Sequence, residues 1–472
     1  MFNGGISSFA LEVSDTVVSN EIDLANAVNS ASVPTIIAFN NDISLTQPLV
    51  IPANKDITLT SNTATGFYKL IGVDDESTIA VDNGGILKLD GIIITHENDK
   101  TGSGVTVDPD GTLILYNGEI SGNTARHGGG VNVAGSFSMY GGRIFNNTVH
   151  MSGGGGVYLY QHGIFNLSGG EISENKAYRH NGGGVCNFHG IFSMSGGVIS
   201  GNTATEDNGG GVASYFGVFN MSGGEISGNT AGSDGGGVWI EGNNGIIKAF
   251  DMSGGVISGN TATDNGGGVY IHDDGWLNDY VLSGGKISNN TAVKGGGVYY
   301  ESIYNAYSGY HCFNMSGGEI SNNTVFQNGG GIYVRRDGAV SISGGKISNN
   351  NAAFSGGGIW IDVNNLDKLS IADGVIFSNN HASAAYDRDP THDELYRTHI
   401  GDNVAWSRIS WFSHLTQGYN NYDISYTSDS LVTNRMNSLL ITTAAALIIS
   451  IFAIALFYFL KRNNQRKKGQ TQ

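Results

Sequence analysis

Aromatic and charged side chains recur at one fixed place in the second half of the chain. Each of five successive repeats there contains a glycine triplet followed by the pattern V/I-x-φ-z, in which φ is mostly aliphatic. In an extended strand, x and z share the face opposite to the first residue and φ. Position x is Trp239, Tyr270, Tyr299, Tyr333 and Trp360, and position z is Glu241, His272, Glu301, Arg335 and Asp362. Rings that stack on pyranose faces, beside carboxylates that accept hydroxyl hydrogens, are typical of sugar-binding surfaces. The pattern therefore predicts a face that binds a glycan or a protein partner.

A purely structural explanation of the same pattern stays open. Tyr and Trp are favoured on strands, and aromatic ladders stabilise stacked strands without any ligand. Earlier repeats carry Asn132, Cys186 and Ala213 at position x, so the aromatic stripe is local. The sequence does not decide between a stripe that binds and one that only stacks.

Catalysis is a further alternative on the same face. Glu241 and Glu301, or Glu301 and Asp362, stand two repeats apart, which is about 9.6 Å at the spacing of neighbouring strands. This separation is at the outer edge of the roughly 6.5–9.5 Å expected for inverting glycosidases. Arg335 lies between the second pair and could act as a lyase-type base or clamp. If the protein is an enzyme, Glu301, Arg335 and Asp362 are the catalytic candidates, but we favour binding.

Histidine and cysteine positions predict neither a metal site nor a disulfide. His162 and His189 occupy the same position in adjacent repeats, and two ligands without a third make a poor zinc site. Cys186 and Cys312 lie four repeats apart, or about 19 Å at strand spacing, whereas a disulfide needs Cα atoms within about 7 Å. We expect two free thiols, no bound metal and no cofactor.

The elements that position these residues follow from the repeats. Glycine triplets begin at Gly128, Gly153, Gly182, Gly209, Gly235, Gly266, Gly295, Gly329 and Gly356. Apolar stretches between them alternate with period two, which indicates strands. Three short strands per repeat predict one coil of an all-β parallel β-helix of about 12 coils.

Columns of identical residues support stacking in register. One inward column is Ile120, Ile144, Ile172, Ile199, Ile226, Ile257, Ile287, Ile320 and Ile347; two others hold mainly Phe and mainly Met. Asparagine recurs at Asn123, Asn147, Asn175, Asn202, Asn229, Asn260, Asn290, Asn323 and Asn350, where we predict a ladder at a left-handed turn position. Outward residues before each isoleucine never place like charges on neighbours, as expected if they sit above one another.

The phrases "GGGV" and "MSGGEISGNTA" resemble right-handed parallel β-helix surface proteins of the pectin-lyase-like superfamily. They also resemble the GGA[IV] and FxxN repeats of polymorphic outer-membrane proteins, the second of which is matched by "FSNN" at 377–380. The resemblance covers roughly residues 110–380. It implies a right-handed β-helix but leaves function open, because the fold carries adhesins, lyases, hydrolases and stalks.

Residues 438–460 form a run of 23 residues without a charge, long enough to span a bilayer. Five basic residues follow at 461–468 and predict a cytoplasmic tail. The chain therefore resembles a single-pass membrane protein whose β-helix is extracellular, unlike polymorphic outer-membrane proteins, which end in a β-barrel. A net charge of −17 argues against binding nucleic acid.

We predict the following organisation: a leader remnant or disordered segment at 1–20, an N-terminal cap with a helix near 21–31 and irregular coils at 21–110, regular coils at 111–380, a cap and stalk at 381–430, the membrane helix at 438–460 and a basic tail at 461–472. The predicted function is a membrane-anchored cell-surface adhesin that binds an extracellular glycan or a protein of a host or neighbouring cell. The alternatives are a polysaccharide lyase or glycoside hydrolase, and a passive envelope spacer.

Overall fold

The computed structural model describes residues 14–383 and 423–427, except 64–65, 243–247, 275–278, 304–311, 363–364 and 366–367. Among these residues, no helix has the length and apolar character needed to cross a bilayer. The predicted membrane helix at 438–460, the basic tail, and most of the predicted C-terminal cap lie outside the described residues.

The chain winds into an all-β parallel solenoid of about 12 turns with three sheets, which confirms the predicted solenoid. The first sheet carries the V/I-x-φ-z segments. Its strands are Leu49–Ile51, Ile79–Val81, Val105–Val107, Val131–Val133, Val157–Leu159, Val185–Phe188, Val212–Tyr215, Val238–Glu241, Val269–Asp273, Val298–Ser302, Ile332–Arg336, Ile359–Asp362 and Ile424–Thr427.

The second sheet contains two columns of strands joined through two long strands, Ile86–Thr95 and Thr112–Ser121. The remaining strands of its first column are Ser14–Val18, Thr35–Phe39, Asp56–Ser61, Ser136–Met139, Ile164–Leu167, Ile191–Met194, Val218–Met221, Lys248–Met252, Asp279–Leu282, Cys312–Met315, Ala339–Ile342 and Leu369–Ile371. Those of its second column are Ile43–Ser44, Lys69–Ile71, Arg143–Phe145, Glu171–Ser173, Val198–Ser200, Glu225–Ser227, Val256–Ser258, Lys286–Ser288, Glu319–Ser321, Lys346–Ser348 and Ile376–Ser378.

Within the described residues, the third sheet consists of ten two-residue strands, of which all but the last precede a glycine triplet. They are Thr124–Ala125, Thr148–Val149, Lys176–Ala177, Thr203–Ala204, Thr230–Ala231, Thr261–Ala262, Thr291–Ala292, Thr324–Val325, Asn351–Ala352 and His381–Ala382.

The core is built from side chains that pack on their own counterparts. Ile144 pairs with Ile172, and Phe165 with Phe192, in parallel register. The nine isoleucines of the inward column are fully buried, and the Phe165 and Phe192 rings stack with centroids 5.0 Å apart. Each such side chain stabilises the fold by about 1.5–3 kcal/mol. The predicted inward columns are therefore confirmed.

The asparagine ladder is continuous and buried. In each coil the backbone N–H and the side-chain Nδ2 donate to Oδ1 of the next asparagine; for Asn202 and Asn229 these distances are 2.9 and 3.0 Å. At its N-terminal end the imidazole of His96 lies with Nδ1 2.8 Å from Asn123 Oδ1. At its C-terminal end Asn380 Nδ2 donates to Asp423 Oδ1 over 2.9 Å.

The predicted left-handed conformation of the ladder asparagines is wrong by one residue. Positive φ falls on the preceding residue, such as Gly228 at 63° or Asn289 at 58°. The left-handed residue makes the turn, and the following asparagine can then point into the coil, where its amide meets both neighbouring coils.

The glycine triplets are required by the close approach of successive coils. A Cβ on Gly210 or Gly211 would lie 2.5 or 2.7 Å from a carbonyl oxygen of the next coil, and Gly209 has a φ of 69°. Any other residue would push the coils apart or strain the backbone.

A helix at Glu21–Ser30 precedes the coils and confirms the predicted helix. The Asn20 side chain caps it by accepting a hydrogen bond from the Asp23 N–H, and Leu24, Ala27 and Val28 are its buried residues. The helix contacts Ser14–Val18, the first strand of the second sheet. It therefore lies at the N-terminal end of the solenoid.

Candidate functional site

The five aromatic residues of position x lie in one column on the outer face of the first sheet, here called the aromatic stack. Rings stack on one another from Tyr270 to Trp360, whereas the Trp239 ring packs against Tyr215. The strands bring them into register as Trp239↔Tyr270↔Tyr299↔Tyr333↔Trp360. Tyr270 and Tyr299 stack with centroids 4.8 Å apart, and Tyr333 and Trp360 with centroids 4.3 Å apart. The predicted in-register stripe is thus present.

The aromatic stack is not an open platform, and this corrects the expectation that its rings face solvent. Their exposed fraction ranges from 0 to 7%, so no ring face is available to a pyranose. In one coil the residue before the glycine triplet lies over this face, where the Lys294 ammonium is 5.2 Å from the Tyr333 ring centroid. The stack is a small second core, separate from the main one.

The five residues of position z, here called the polar column, follow the same register at the ends of these strands. Glu241 pairs with His272, His272 with Glu301, and Glu301 with Arg335. Glu241, His272, Arg335 and Asp362 are partly exposed, whereas Glu301 is 3% exposed. The polar column is therefore the part of the predicted site that reaches solvent.

Glu301 is the buried centre of an ionic network. Its carboxylate accepts a hydrogen bond from the Tyr270 hydroxyl at 2.9 Å and lies 2.9 Å from Arg336 Nε and 3.5 Å from Arg335 Nη1. A buried carboxylate held by two guanidinium groups is compensated and fixed in place. Its structural effect is to hold Arg335 in place within the polar column.

Burial gives one acid of the polar column an unusual proton affinity. Burial, with a smaller contribution from the nearby Asp274 carboxylate, raises the pKa of Glu241 to about 7. Burial also raises the pKa of Asp234, the residue before the glycine triplet at Gly235, to about 6, against the lowering effect of hydrogen bonds from Asn265. Glu241 is therefore partly protonated at neutral pH.

The proposed catalytic use of Arg335 as a base does not fit its surroundings. Burial alone lowers the pKa of its guanidinium, but Tyr299 and Glu301 raise it overall. Arg335 is held in its charged form and suits the role of a clamp rather than of a proton acceptor. Glu301 is likewise occupied by its two arginines, so the trio of Glu301, Arg335 and Asp362 does not form an acid–base pair.

His162 and His189 lie in turns with φ of 70° and 61°. The His189 ring contacts Phe188 and Phe216, with centroids 4.5 and 5.3 Å away. Within the described part of the chain, no three His, Cys, Asp or Glu side chains converge as metal ligands would. Cys186 and Cys312 are both unbridged, as predicted, and burial raises the pKa of their thiols to about 12 and about 11.

Arg336 and Asp274 belong to this site and were not found from the sequence. Arg336 has a φ of 56°, so the strand turns there and its side chain reaches back to Glu301. The available signal was the "RRDG" run, which interrupts the strand alternation at a turn.

A family model described as a right-handed β-helix region matches residues 247–394. This segment contains most of the aromatic stack and of the polar column. Neither the curated proteins nor the solved structures gave a match. The family match agrees with the three-sheet solenoid described above.

Proposed function

We propose that this protein, a parallel three-sheet solenoid of which residues 247–394 match a right-handed β-helix family model, is a cell-surface binding protein that holds an extended extracellular glycan along the polar column. The observation that carries this proposal is the column itself. Four of its side chains reach solvent, and all four lie near the C-terminal ends of strands of the first sheet: Glu241, His272, Arg335 and Asp362. A polymer with a regular repeat can contact such a periodic line of donors and acceptors at several places at once.

Rigidity strengthens this proposal. The aromatic stack packs on the same strands that carry the polar column, and an ion pair with Glu301 on the adjacent strand holds Arg335. A binding surface held by packed strands loses little conformational entropy when the ligand binds. The rings thus support the site without contacting the sugar, which revises their predicted role.

The test is binding of the full chain to a polysaccharide array. A variant carrying His272→Ala and Arg335→Gln should bind at least about tenfold more weakly, because polar contacts to charged groups contribute about 1.5–3 kcal/mol each. Glu225→Gln, at an exposed position of the second sheet, is the matched control and should bind normally. Equal binding by both variants would remove the polar column as the site.

Ring substitutions now have a different expected effect. Tyr299→Ala should destabilise the coils by about 3 kcal/mol or more, because it opens a cavity in a buried stack. If Tyr299→Ala instead leaves the unfolding midpoint unchanged and abolishes glycan binding, the rings contact the ligand directly.

A glycoside hydrolase is the second candidate, favoured by one observation. Glu241 retains a proton near neutral pH, as a general acid must. Release of reducing ends from a polysaccharide, abolished by Glu241→Gln, would support this function. Unchanged release in that variant would exclude Glu241 as the acid, and absence of both binding and release would leave a passive spacer.

We propose that residues 438–460 anchor the protein in the cell membrane with the β-helix outside. The support is the uncharged run and the basic residues that follow it. Protease treatment of intact cells should remove the β-helix while leaving a membrane-bound C-terminal fragment. Release of the intact chain by alkaline carbonate would contradict the anchor.

A further inference from the structure

The loops that join each third-sheet strand to the next glycine triplet lie one above another along the solenoid, and are here called the loop row. The third-sheet strands stack in parallel register from Thr124 to Thr261, so these loops follow one another from coil to coil. Six successive loops are residues 126–127, 150–152, 178–181, 205–208, 232–234 and 263–265. At the spacing of neighbouring strands they extend over about 24 Å.

The charge of the loop row reverses halfway along it. The first three loops, with the adjoining Lys176, contain basic side chains and no acid, whereas the next three contain acids and no base. The basic side chains are Arg126, His127, His150, Lys176, Arg179 and His180, and the acidic ones are Glu206, Asp207, Asp234 and Asp264. All of them reach solvent at least in part. The basic half stands on a chain whose net charge is −17.

The outer charges of the loop row are not neutralised by ion pairs of the chain itself. Arg179 and Glu206 occupy the same position in adjacent coils, three residues before a glycine triplet, and both are exposed. Between described residues, no ion pair contains either of them, and none contains Arg126 or Asp264. These charges are therefore available to a partner of opposite charge.

The loops are held in place before any partner binds. Asn208 and Asp234 each donate a backbone N–H to the asparagine Oδ1 of the preceding coil, both at 3.0 Å. The Asn265 N–H donates to Asp234 Oδ1 at 2.9 Å. In the basic half the rings of His150 and Tyr178 stack with centroids 4.8 Å apart. A surface fixed in this way loses little conformational entropy on binding.

We propose that the loop row binds the loop row of a second copy of this chain in antiparallel orientation. Two parallel copies in register would place basic halves against each other. A two-fold axis between the coils of Arg179 and Glu206 instead places each basic half against the acidic half of the other copy. Arg179 of one copy then faces Glu206 of the other, and Arg126 faces Asp264. Screening over about 8 Å at physiological salt weakens the repulsion between the net charges but not these contacts.

The pairing is weak for one pair of chains and acts through many. A strip about 24 Å long and one loop wide buries less than the roughly 800 Å² per partner of a standard interface. Many copies on two facing surfaces multiply such a contact. Because the C-terminal ends of antiparallel rods point in opposite directions, chains anchored at that end pair between two cells. This consequence rests on the proposed membrane anchor, whereas the pairing itself does not.

The experiment measures aggregation of microspheres that carry the full chain attached through its C-terminal end. The spheres hold neither a membrane nor a glycan, so failure of the proposed anchor or of glycan binding does not affect the outcome. Spheres of two colours are mixed, and mixed-colour aggregates are counted by flow cytometry. One variant, Arg126→Glu with Arg179→Glu, reverses the basic half, and another, Glu206→Lys with Asp264→Lys, reverses the acidic half. Glu225→Lys, at an exposed position of the second sheet, is the matched control.

Spheres with the unmodified chain or the control should aggregate. Each double variant alone should form about tenfold fewer mixed-colour aggregates or less, because like charges then face each other. Spheres with one double variant should aggregate with spheres carrying the other, because both contacts again join opposite charges.

Absence of aggregation by the unmodified chain overturns the proposal. Normal aggregation of either folded double variant also overturns it, as does failure of the two folded variants to aggregate with each other. If a double variant does not fold, salt decides, because about 1 M salt shortens the screening length to about 3 Å. Dispersal of the unmodified spheres at that salt concentration then supports the pairing, and persistent aggregates overturn it.

Discussion

Replacing one asparagine of the ladder by alanine should destabilise the solenoid far more than the loss of one small side chain suggests. In the coil of Asn229, the side chain accepts from the backbone and amide nitrogens of Asn202 and donates to Ile199 O and Asn260 Oδ1. Asn229→Ala deletes these four hydrogen bonds from a fully buried site. At about 1 kcal/mol each, the expected loss is about 4 kcal/mol, a large part of the roughly 5–15 kcal/mol that stabilises a domain.

The assay is urea unfolding of the full chain followed by circular dichroism, with hydrogen exchange to locate the loss. Exchange should accelerate first in the coils of Asn202 and Asn260, because each coil of a solenoid depends on its neighbours. Thr230→Ala, at the exposed neighbouring residue, is the control and should change stability by less than about 0.5 kcal/mol.

A second variant separates the acceptor from the donor role of the amide. Asn229→Asp keeps an oxygen for the Asn202 nitrogens but cannot donate to Ile199 O when ionised. Its stability should lie below that of the unmodified protein and should recover as the pH falls and the carboxyl protonates. A loss below about 1 kcal/mol for Asn229→Ala would refute the assignment of the ladder as a main source of stability.

Three further predictions concern the titratable groups. Cys186 and Cys312 should resist alkylation at neutral pH in the folded protein, because burial raises their thiol pKa to about 12 and about 11; both should react after unreduced denaturation, and rapid labelling of native Cys186 would contradict its burial. Stability should fall as the pH rises from 4.5 to about 7, because folded Glu241 retains a proton that the unfolded chain releases. The melting temperature should vary less across this pH range in Glu241→Gln. The same dependence of melting temperature on pH in both proteins would exclude Glu241 as the cause. Lys286→Glu should destabilise the fold by about 0.2–1 kcal/mol, because it places like charges on adjacent strands. Lys286 Nζ lies 3.6 Å from Glu319 Oε1; the hydrogen bond from Ser321 lowers the Glu319 pKa most, and the Lys286 charge lowers it as well. A loss of stability in Val256→Ala without one in Lys286→Glu would indicate that packing, not charge, stabilises this column.

The coils could be predicted from the sequence because stacking in register forces each column to repeat one residue type. Ile144, Phe165 and Met194 each predicted a buried column, since a residue that packs on its own copy has the same surroundings in every coil. Charge alternation, as between Arg143 and Glu171 at 3.2 Å, follows from the same geometry. Periodicity therefore determined both faces of the strands.

What lies over a strand could not be predicted in this way. Tyr333 was placed on the correct face, but its burial depends in part on Lys294, whose ammonium lies 5.2 Å from the ring centroid, and strand alternation carries no information about that contact. The link from Arg336 to Glu301 depends on a positive φ outside the alternating pattern.

The hydrogen bonds of the asparagine ladder repeat from coil to coil as the steps of a chain-growth polymerisation do, with a different residue at each end of the solenoid. Each completed coil presents an N–H and an amide nitrogen, and the next asparagine consumes both with its oxygen and regenerates the same pair. His96 acts as the initiator, because its imidazole nitrogen donates to Asn123 Oδ1, an atom that can only accept. Asp423 acts as the terminator, because its carboxylate accepts from Asn380 and has no amide to regenerate the pair. The number of propagation steps between them is not fixed by either end, so whole coils could be added or removed without leaving an amide unpaired.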